Sequence, residues 1–361
     1  MACKWIGPGW YLPALSLGFG VVTVAFAFVQ SMSAACGVRF LLGALEAGVL
    51  PGIAYYMSRW YRRSELVFRL CLYIVMGPFA GAFGGILASA ILSLDNFGST
   101  HRWEMIFAIE GKLKRSTFAG AAASNPTALG IITIVLSLIA FFTLTDRPET
   151  ARWLTAEEKK LAVDRILSER VGVTELVDKL DGPKTWRGIF NPVVLATSMV
   201  LLLINITVQG LAFFCPTIIR SIFPDAPVVR QQLLTVPPYI FGSVVVLGIC
   251  YASWRFDRRN IFMQVGTAIV IPAYIIFLAT TNTTARYIAT FLVAAGAFSF
   301  GALTQAQSSA NVVSDTARSA AIGTTVMLGN VGGLISTVSE LFLSKTKNDQ
   351  LIRILVVVPA F

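Results

Sequence analysis

The sequence predicts an all-α polytopic membrane protein, and its composition and its pattern of apolar runs both lead to that class. Of the 361 residues, 55% are hydrophobic and only 13% are charged, and the mean hydropathy is +0.71. A soluble domain carries about 25% charged residues, so this chain lacks the charge to cover a soluble surface. The apolar residues also fall in runs of about 20, the length that crosses a bilayer as a helix. A soluble enzyme and a disordered chain are thereby excluded.

The apolar runs predict about nine membrane spans along the chain. One of them is interrupted by polar residues and is counted as a single helix. The predicted spans are residues 10–30, 34–57, 70–92, 103–110 together with 131–145, 192–214, 233–254, 261–280, 287–306 and 320–343.

The basic residues predict how the spans are oriented. If the spans alternate, the loops rich in Lys and Arg all lie on one side, and the positive-inside rule makes that side cytoplasmic. The long loop from Asp146 to Arg187 alone carries nine basic and nine acidic residues. Within it, Thr155 and Glu158 have the spacing of a capping box and predict a solvated helix. The N-terminus falls on the cytoplasmic side, and Asn282 falls outside, where its glycosylation stays an open question.

The net charge of +10 is explained by these loops, so no nucleic-acid partner is predicted. The single histidine and the five scattered cysteines lack the spacing of a metal site or a disulfide framework. The glycine-rich stretches lie inside apolar runs and include no P-loop, so neither an enzyme nor ATP-driven transport is predicted. No metal and no cofactor is expected.

Several motifs carry a resemblance to a known family. The main four are RFLLGALEAGVLPGIAYYMSRWYRRSE (Arg39–Glu65), GAFGGILA (Gly81–Ala88), DRPETARWLTAEEK (Asp146–Lys159) and LLTVPPY (Leu233–Tyr239). Together they resemble the major facilitator superfamily, and within it the anion:cation symporter group. The likeness is greatest to the fungal permeases for allantoate, nicotinate and pantothenate, and it covers nearly the whole chain.

The resemblance implies the major facilitator fold, whose members have twelve spans, with about nine present here. It places the start of the chain just before the third span and its end after the eleventh. Residues 1–145 are then an N-terminal bundle lacking its first two helices, 146–190 a cytoplasmic loop, and 191–361 a C-terminal bundle lacking its last helix. Members of the family act by alternating access. The protein is also expected to be monomeric and to span the plasma membrane several times.

An insert interrupts the family pattern at residues 112–130, KLKRSTFAGAAASNPTALG. Three bases and an Asn-Pro pair are costly inside a span. Without these residues, FAIEG joins IITIVLSLIAFF in a span of normal length. We interpret the insert as a translated intron, because Gly111-Lys112 and Leu129-Gly130 can be encoded with splice-site sequences. A genuine external or re-entrant loop is the alternative.

Arg39 and Glu46 are the strongest candidates for a transport site, because both lie inside an apolar run. A charge there costs roughly 2.5–3.5 kcal/mol even on a lenient scale, which marks it as functional by default. Seven residues separate the two, so in a helix they share one face about 10 Å apart. Arg39 is predicted to bind the carboxylate of an organic anion, and Glu46 to take up and release a proton. The resemblance implies the same roles. A structural polar pair between helices is the alternative.

A second group of candidates consists of polar and aromatic residues of the later spans. Asn205 and Gln209 share a helix face, and Phe213 follows at the outer end of the same run. Asn205 and Gln209 can either bind substrate or form hydrogen bonds between helices, and the sequence favours neither role over the other. Asn311 and Asn330 are weaker substrate-binding candidates.

Two loop or packing motifs complete the prediction. Asp257, Arg258 and Arg259 match the superfamily's loop of Asp and Arg residues, and the resemblance implies a conformational latch there. Gly77-Pro78-x-x-Gly81 echoes a motif of antiporting drug exporters, although helix packing is the interpretation we adopt.

The function that follows is proton-coupled import of a small organic anion, such as a vitamin carboxylate, a ureide or a sugar acid. The partners are this anion, protons and the lipid bilayer. The alternatives are an exporter of a secondary metabolite and a non-transporting, truncated remnant.

Overall fold

A computed structural model describes residues 2–26, 29, 31–93, 126–168, 181–312 and 314–343. Throughout these ranges the regular secondary structure is helical, and the predicted all-α fold is confirmed. The helices are α1 Ala2–Ile6, α2 Pro8–Phe26, α3 Met32–Glu46, α4 Val49–Trp60, α5 Arg63–Ile74, α6 Met76–Ser93, α7 Pro126–Thr143, α8 Ala156–Leu167, α9 Gly182–Ile189, α10 Pro192–Ile222, α11 Val228–Leu233, α12 Val236–Phe256, α13 Arg259–Ala279, α14 Thr283–Ala297, α15 Ser299–Ala310 and α16 Asp315–Leu343.

Eight helical runs in the described ranges are long and apolar enough to cross a membrane. They are Pro8–Phe26, Ser33–Trp60, Arg63–Leu87, Pro192–Phe213, Val228–Phe256, Arg259–Ala279, Thr283–Ala310 and Asp315–Val338. Each coincides with a predicted span. The ninth predicted span is represented by a shorter apolar helix, Gly130–Thr143.

The helix of the interrupted span begins earlier than the sequence predicts. We expected the helix to resume at Ile131, but α7 starts at Pro126. Proline suits the first turn of a helix because its missing N–H would have no intrahelical partner there. The stretch 103–110 and residues 112–125 of the insert lie outside the described residues.

The chain forms two compact units. Unit 1 comprises Met1–Trp60 and Ile91–Leu180, and unit 2 comprises Tyr61–Ala90 and Asp181–Phe361. The division into two bundles at the loop 146–190 stays a prediction from the family resemblance.

In unit 1, α2 and α7 cross at two glycines that face each other. A Cβ at Gly20 would lie 3.0 Å from the carbonyl oxygen of Gly130, and one at Gly130 would lie 2.9 Å from that of Gly20. No larger residue fits at either position without moving a backbone. Lipid tails are as apolar as the side chains, so the hydrophobic effect does not drive membrane helices together. The van der Waals contacts that close approach allows hold them together instead.

The first part of the long loop is anchored on unit 1. The amide of Gly9, in the first turn of α2, donates to Asp146 Oδ1 at 2.7 Å, where a carboxylate also complements the helix dipole. Pro148 and Ala151 are buried, and the ring of Trp153 stacks on Trp60 with centroids 5.6 Å apart.

The predicted helix farther along this loop is present as α8. The Thr155 hydroxyl accepts from the Glu158 amide at 3.4 Å, and Glu158 Oε2 accepts from the Thr155 amide at 2.9 Å. The two residues therefore form the predicted capping box. The hydrogen bond from the Thr155 amide, followed by that from its hydroxyl, lowers the pKa of the Glu158 carboxyl.

In unit 2, α10 and α16 pack along their length. Gly332 lies against the backbone of Leu202, so closely that a Cβ would not fit. The Ser198 hydroxyl donates to Thr325 Oγ1 at 3.0 Å near the beginning of α10. Hydroxyl pairs and glycines replace the large apolar core of a soluble protein here, as expected between membrane helices.

Candidate functional site

The pair Arg39 and Glu46 lies on one continuous helix. Ser31 caps the N-terminus of α3, and its hydroxyl accepts from the Ala34 amide at 3.3 Å. Glu46 is the last residue of the helix. The helix is unbroken between the two, so the predicted geometry holds: the side chains leave one face about 10 Å apart along the axis.

Both side chains are exposed, and no described side chain of α3 is buried. The Arg39 guanidinium lies 4.8 Å from the centroid of the Phe26 ring at the end of α2, a cation–π contact that leaves its N–H groups able to bind an anion.

A break in the span follows Glu46 directly. Ala47 and Gly48 form a turn before α4 begins at Val49. A Cβ at Gly48 would meet the hydroxyl of Tyr11 and Cδ1 of Leu15, the latter at 2.7 Å, so the turn lies close against α2. The break places Glu46 at the end of α3, where the Ala47 amide still donates to the Gly43 carbonyl at 2.9 Å.

Asn205 and Gln209 both face α16. Asn205 Nδ2 donates to the Gly329 carbonyl at 2.7 Å. One turn farther along, a Cβ at Gly333 would lie 3.0 Å from Cγ of Gln209. Asn205 therefore forms a hydrogen bond between helices, which is one of the two roles that the sequence allows for this pair.

The remaining predicted binding residues are Phe213, Asn311 and Asn330. Phe213 is 60% exposed and Asn330 is exposed. Asn311 follows the last residue of α15, is exposed, and donates to the Gln307 carbonyl at 2.7 Å. The same carbonyl also accepts from the Asn311 backbone amide at 3.2 Å. A substrate-binding role for these three residues stays a prediction.

Of the three predicted latch residues, Arg259 makes hydrogen bonds to other helices, and the latch role itself stays a prediction. Asp257 ends α12 with φ of 49°, a left-handed conformation that turns the chain into α13. Arg259 Nη2 donates to the Arg63 carbonyl at the start of α5, and its Nη1 lies 3.4 Å from the Ala306 carbonyl in α15. The carboxylate of Asp257 lies 3.9 Å from Arg259 Nη2 and is largely exposed, as is Arg258. Arg259 therefore links three helices of unit 2.

Two arginines of the basic loops, Arg59 and Arg318, are buried. Arg59 is 4% exposed, with its guanidinium 4.5 Å above the Tyr55 ring and hydrogen-bonded to the Tyr55 hydroxyl. Arg318, near the start of α16, is 2% exposed and donates to the Val312 carbonyl at 3.3 Å. Spacing does offer a signal for Arg59, since Tyr55 lies four residues earlier on the same helix.

A tyrosine hydroxyl, not singled out in the sequence, lies within reach of the backbone carbonyl that a proline leaves without its helical donor and shares its proton with the carbonyl next to it. Pro216 lies inside α10 and cannot donate to the carbonyl of Ala212, four residues earlier. The Tyr239 hydroxyl, from α12, lies 3.5 Å from that carbonyl and 3.3 Å from the carbonyl of Leu211. In lipid, a freed backbone carbonyl needs such a partner. Pro216 is the sequence signal that a donor is required.

Another tyrosine joins α13 to α10 through a side-chain hydrogen bond, in which the Tyr274 hydroxyl donates to Thr207 Oγ1 at 2.9 Å.

Among the described residues, no group of three or more His, Cys, Asp and Glu side chains could hold a metal ion.

The eight apolar helical runs of spanning length in the described ranges define a multi-pass α-helical membrane protein. A family model described as the Major Facilitator Superfamily matches residues 116–337, more than half of the chain. The chain therefore belongs to the Major Facilitator Superfamily.

The relatives by sequence are fungal transporters. The chain is 28% identical over 333 residues to an uncharacterized transporter of Schizosaccharomyces pombe, covering 92% of this chain and 64% of that protein. It is also 28% identical over 339 residues to the MFS-type transporter efuF of Hormonema carpetanum, covering 93% of this chain and 63% of that protein. The chain thus spans less than two thirds of the length of these relatives. That they are transporters agrees with the prediction that the chain is not an enzyme.

Among solved structures, the chain is similar to the proton:xylose symporter XylE bound to 6-bromo-6-deoxy-D-glucose. The TM-score is 0.61 at 16% identity, covering 99% of this chain and 79% of that one. At this identity the likeness supports the fold alone, and the predicted major facilitator fold is confirmed.

Proposed function

We propose that this protein is a secondary active transporter that imports a small organic anion together with protons by alternating access. The observation that carries the proposal is the placement of Arg39 and Glu46, opposite charges on one face of a single helix within a run of spanning length. Membership of a superfamily of transporters supports the general activity. The allantoate, nicotinate and pantothenate permeases, which the sequence resembles, suggest the substrate class.

Arg39 is suited to the anion. Its planar guanidinium can bind a carboxylate through two parallel hydrogen bonds, which fixes both the position and the orientation of the ligand. The Phe26 ring beneath it holds the guanidinium plane and leaves its edge open to a carboxylate. Exposure of Arg39 on a helix without buried side chains keeps that edge accessible.

Glu46 is suited to the proton. About 10 Å along the helix from Arg39, it is too far for a tight ion pair, and this separation suits one water-filled cavity that both side chains share. A carboxylate bound to Arg39 neutralises the opposite charge on this helix face, and Glu46 carries the coupled proton. Substrate entry and proton entry are coupled in this way.

Uptake measurements test the proposal. Labelled nicotinate, allantoate and pantothenate are offered to cells or vesicles containing the protein, with and without an inward proton gradient. We expect at least one of them to accumulate only with the gradient. Arg39→Ala is expected to abolish accumulation, and Arg39→Lys to recover only part of it, because a lysine cannot bind a carboxylate with two prongs.

Glu46→Gln separates coupling from binding. This variant is expected to exchange labelled for unlabelled substrate across the membrane while no longer accumulating it against a gradient. Glu157→Gln, an identical change at an exposed position of α8, is the matched control and should leave accumulation unchanged. Gradient-driven accumulation by Glu46→Gln, or unchanged uptake by Arg39→Ala, contradicts the assigned roles.

A further inference from the structure

The short helix α9 is joined directly to a membrane span. It ends at Ile189, and α10 begins at Pro192, after only Phe190 and Asn191. The Asn191 side chain accepts from the amides of Val193 and Val194 at 2.9 and 3.4 Å and so fixes the start of α10. With so short a connection, α9 lies at the level where the span leaves the hydrocarbon.

One side of α9 is packed and the other is open. Gly188 lies against the backbone of Ala317 at the start of α16, where a Cβ would not fit. Trp186 and Phe190, four residues apart, project from the opposite side according to the 100° turn per residue of a helix. Their side chains are 61% and 62% exposed. Arg187, adjacent to Trp186, is exposed as well.

The two exposed aromatic rings stack on each other. Their centroids are 5.3 Å apart and their planes are inclined by 15°. A stacked pair presents one continuous apolar surface, which is unfavourable in water. Trp in particular is enriched where membrane meets water, because its ring is amphipathic.

We propose that α9 lies in the headgroup region of the bilayer as an anchor for anionic phospholipid. In this arrangement Trp186 and Phe190 enter the boundary between headgroups and acyl chains, and Arg187 binds a negatively charged headgroup. The basic loops predict that this side is cytoplasmic, and that leaflet carries the anionic lipids. The surface is thus complementary to its partner in both polarity and charge, and it holds the start of α10 at a fixed depth.

Fluorescence quenching by brominated lipids tests this inference on the full chain in vesicles. The signal of Trp186 is obtained as the difference between the protein and its Trp186→Phe variant. We expect this signal to be quenched by bromine placed near the headgroup more than by bromine at the chain ends. Brominated phosphatidylserine is expected to quench it at lower mole fraction than brominated phosphatidylcholine.

Arg187→Gln tests the charge. One basic side chain near an anionic surface changes lipid affinity by about fivefold, so the preference for phosphatidylserine should fall by about that factor. Lys160→Gln on α8 removes the same charge from another exposed position and should leave the preference unchanged.

Two results overturn the proposal. Quenching of Trp186 by aqueous iodide but not by brominated lipid places α9 in water. If quenching by lipid does not depend on headgroup charge, or if Arg187→Gln leaves it unchanged, anionic phospholipid is not the partner. Neither result depends on transport, so the proposed function is tested separately.

Discussion

Some residues become candidates because of their own position, and for others the role depends on a partner. Arg39 and Glu46 are of the first kind, because a charge inside an apolar run stands out in the sequence, and their transport roles stay predictions. Asn205 belongs to the second kind. Its own sequence context left substrate binding and helix bonding equally open, and only the position of the Gly329 carbonyl supplies the partner. A single sequence does not specify which backbone atom a distant helix presents.

Glu158 gives a prediction at this scale. Because the Thr155 amide donates to its carboxylate, the folded-state pKa of Glu158 is lower than the unfolded one. The interaction therefore stabilises α8 fully above the ordinary pKa of glutamate, and it is lost as the pH falls through the lowered pKa. Carboxyl-selective NMR titration of the full chain in detergent should show this lowered pKa.

Thr155→Val is the matched variant for this titration. It removes the hydroxyl but keeps the amide, so the pKa of Glu158 should rise only part of the way to its ordinary value. An ordinary pKa in the unaltered protein, or the same lowered pKa in both proteins, contradicts the capping arrangement.

At the scale of elements, the sequence predicts where spans lie better than where they break. Hydropathy averages over a window, so eight of the nine predicted spans overlap helical runs of spanning length in the described ranges, and the ninth overlaps a shorter apolar helix. Whether a helix breaks within a span depends on one or two backbone hydrogen bonds. The span of α5 and α6 is interrupted at Val75, where Pro78 lacks the N–H that would bond the carbonyl of Ile74. Phe298, between α14 and α15, has no comparable signal in its own residue type.

The contact between Tyr239 and the carbonyl freed by Pro216 gives a prediction for α10 and α12. Tyr239→Phe leaves the Ala212 carbonyl without this donor, and we expect it to lower the free energy of unfolding by about 1 kcal/mol. Unfolding in mixed detergent micelles measures the change.

A double-mutant cycle distinguishes this cause from a general loss of packing. Pro216→Ala restores an N–H that can bond the Ala212 carbonyl within α10, so Tyr239→Phe should cost much less in that background. Equal costs in the two backgrounds show that the hydroxyl does not serve the freed carbonyl.

For the whole molecule, composition and span count were enough to predict the class, and motifs were enough to predict the superfamily. The tether at Arg259 was only partly predictable. The resemblance indicated Asp257, Arg258 and Arg259 together, whereas the contacts that join α5, α13 and α15 come from Arg259 alone among the three. Adjacent charges in a loop look equivalent in sequence, and the turn at Asp257 decides which one points inward.

Arg259→Gln is therefore expected to destabilise the protein by about 1.5–3 kcal/mol, the range for hydrogen bonds that involve a charged group. Arg258→Gln carries the same charge change one residue earlier and should have little effect, because Arg258 is exposed. Thermal unfolding of both variants in detergent measures the difference. Equal destabilisation by the two variants contradicts a specific tether.

The glycine crossing of α2 and α7 has a consequence for the gene. Gly130, which meets Gly20, is the last residue of the insert 112–130. If the insert is spliced out, Gly111 directly precedes Ile131, so a glycine occupies the same place before the same apolar sequence. With or without the insert, the chain therefore has at this place the residue type that the crossing requires.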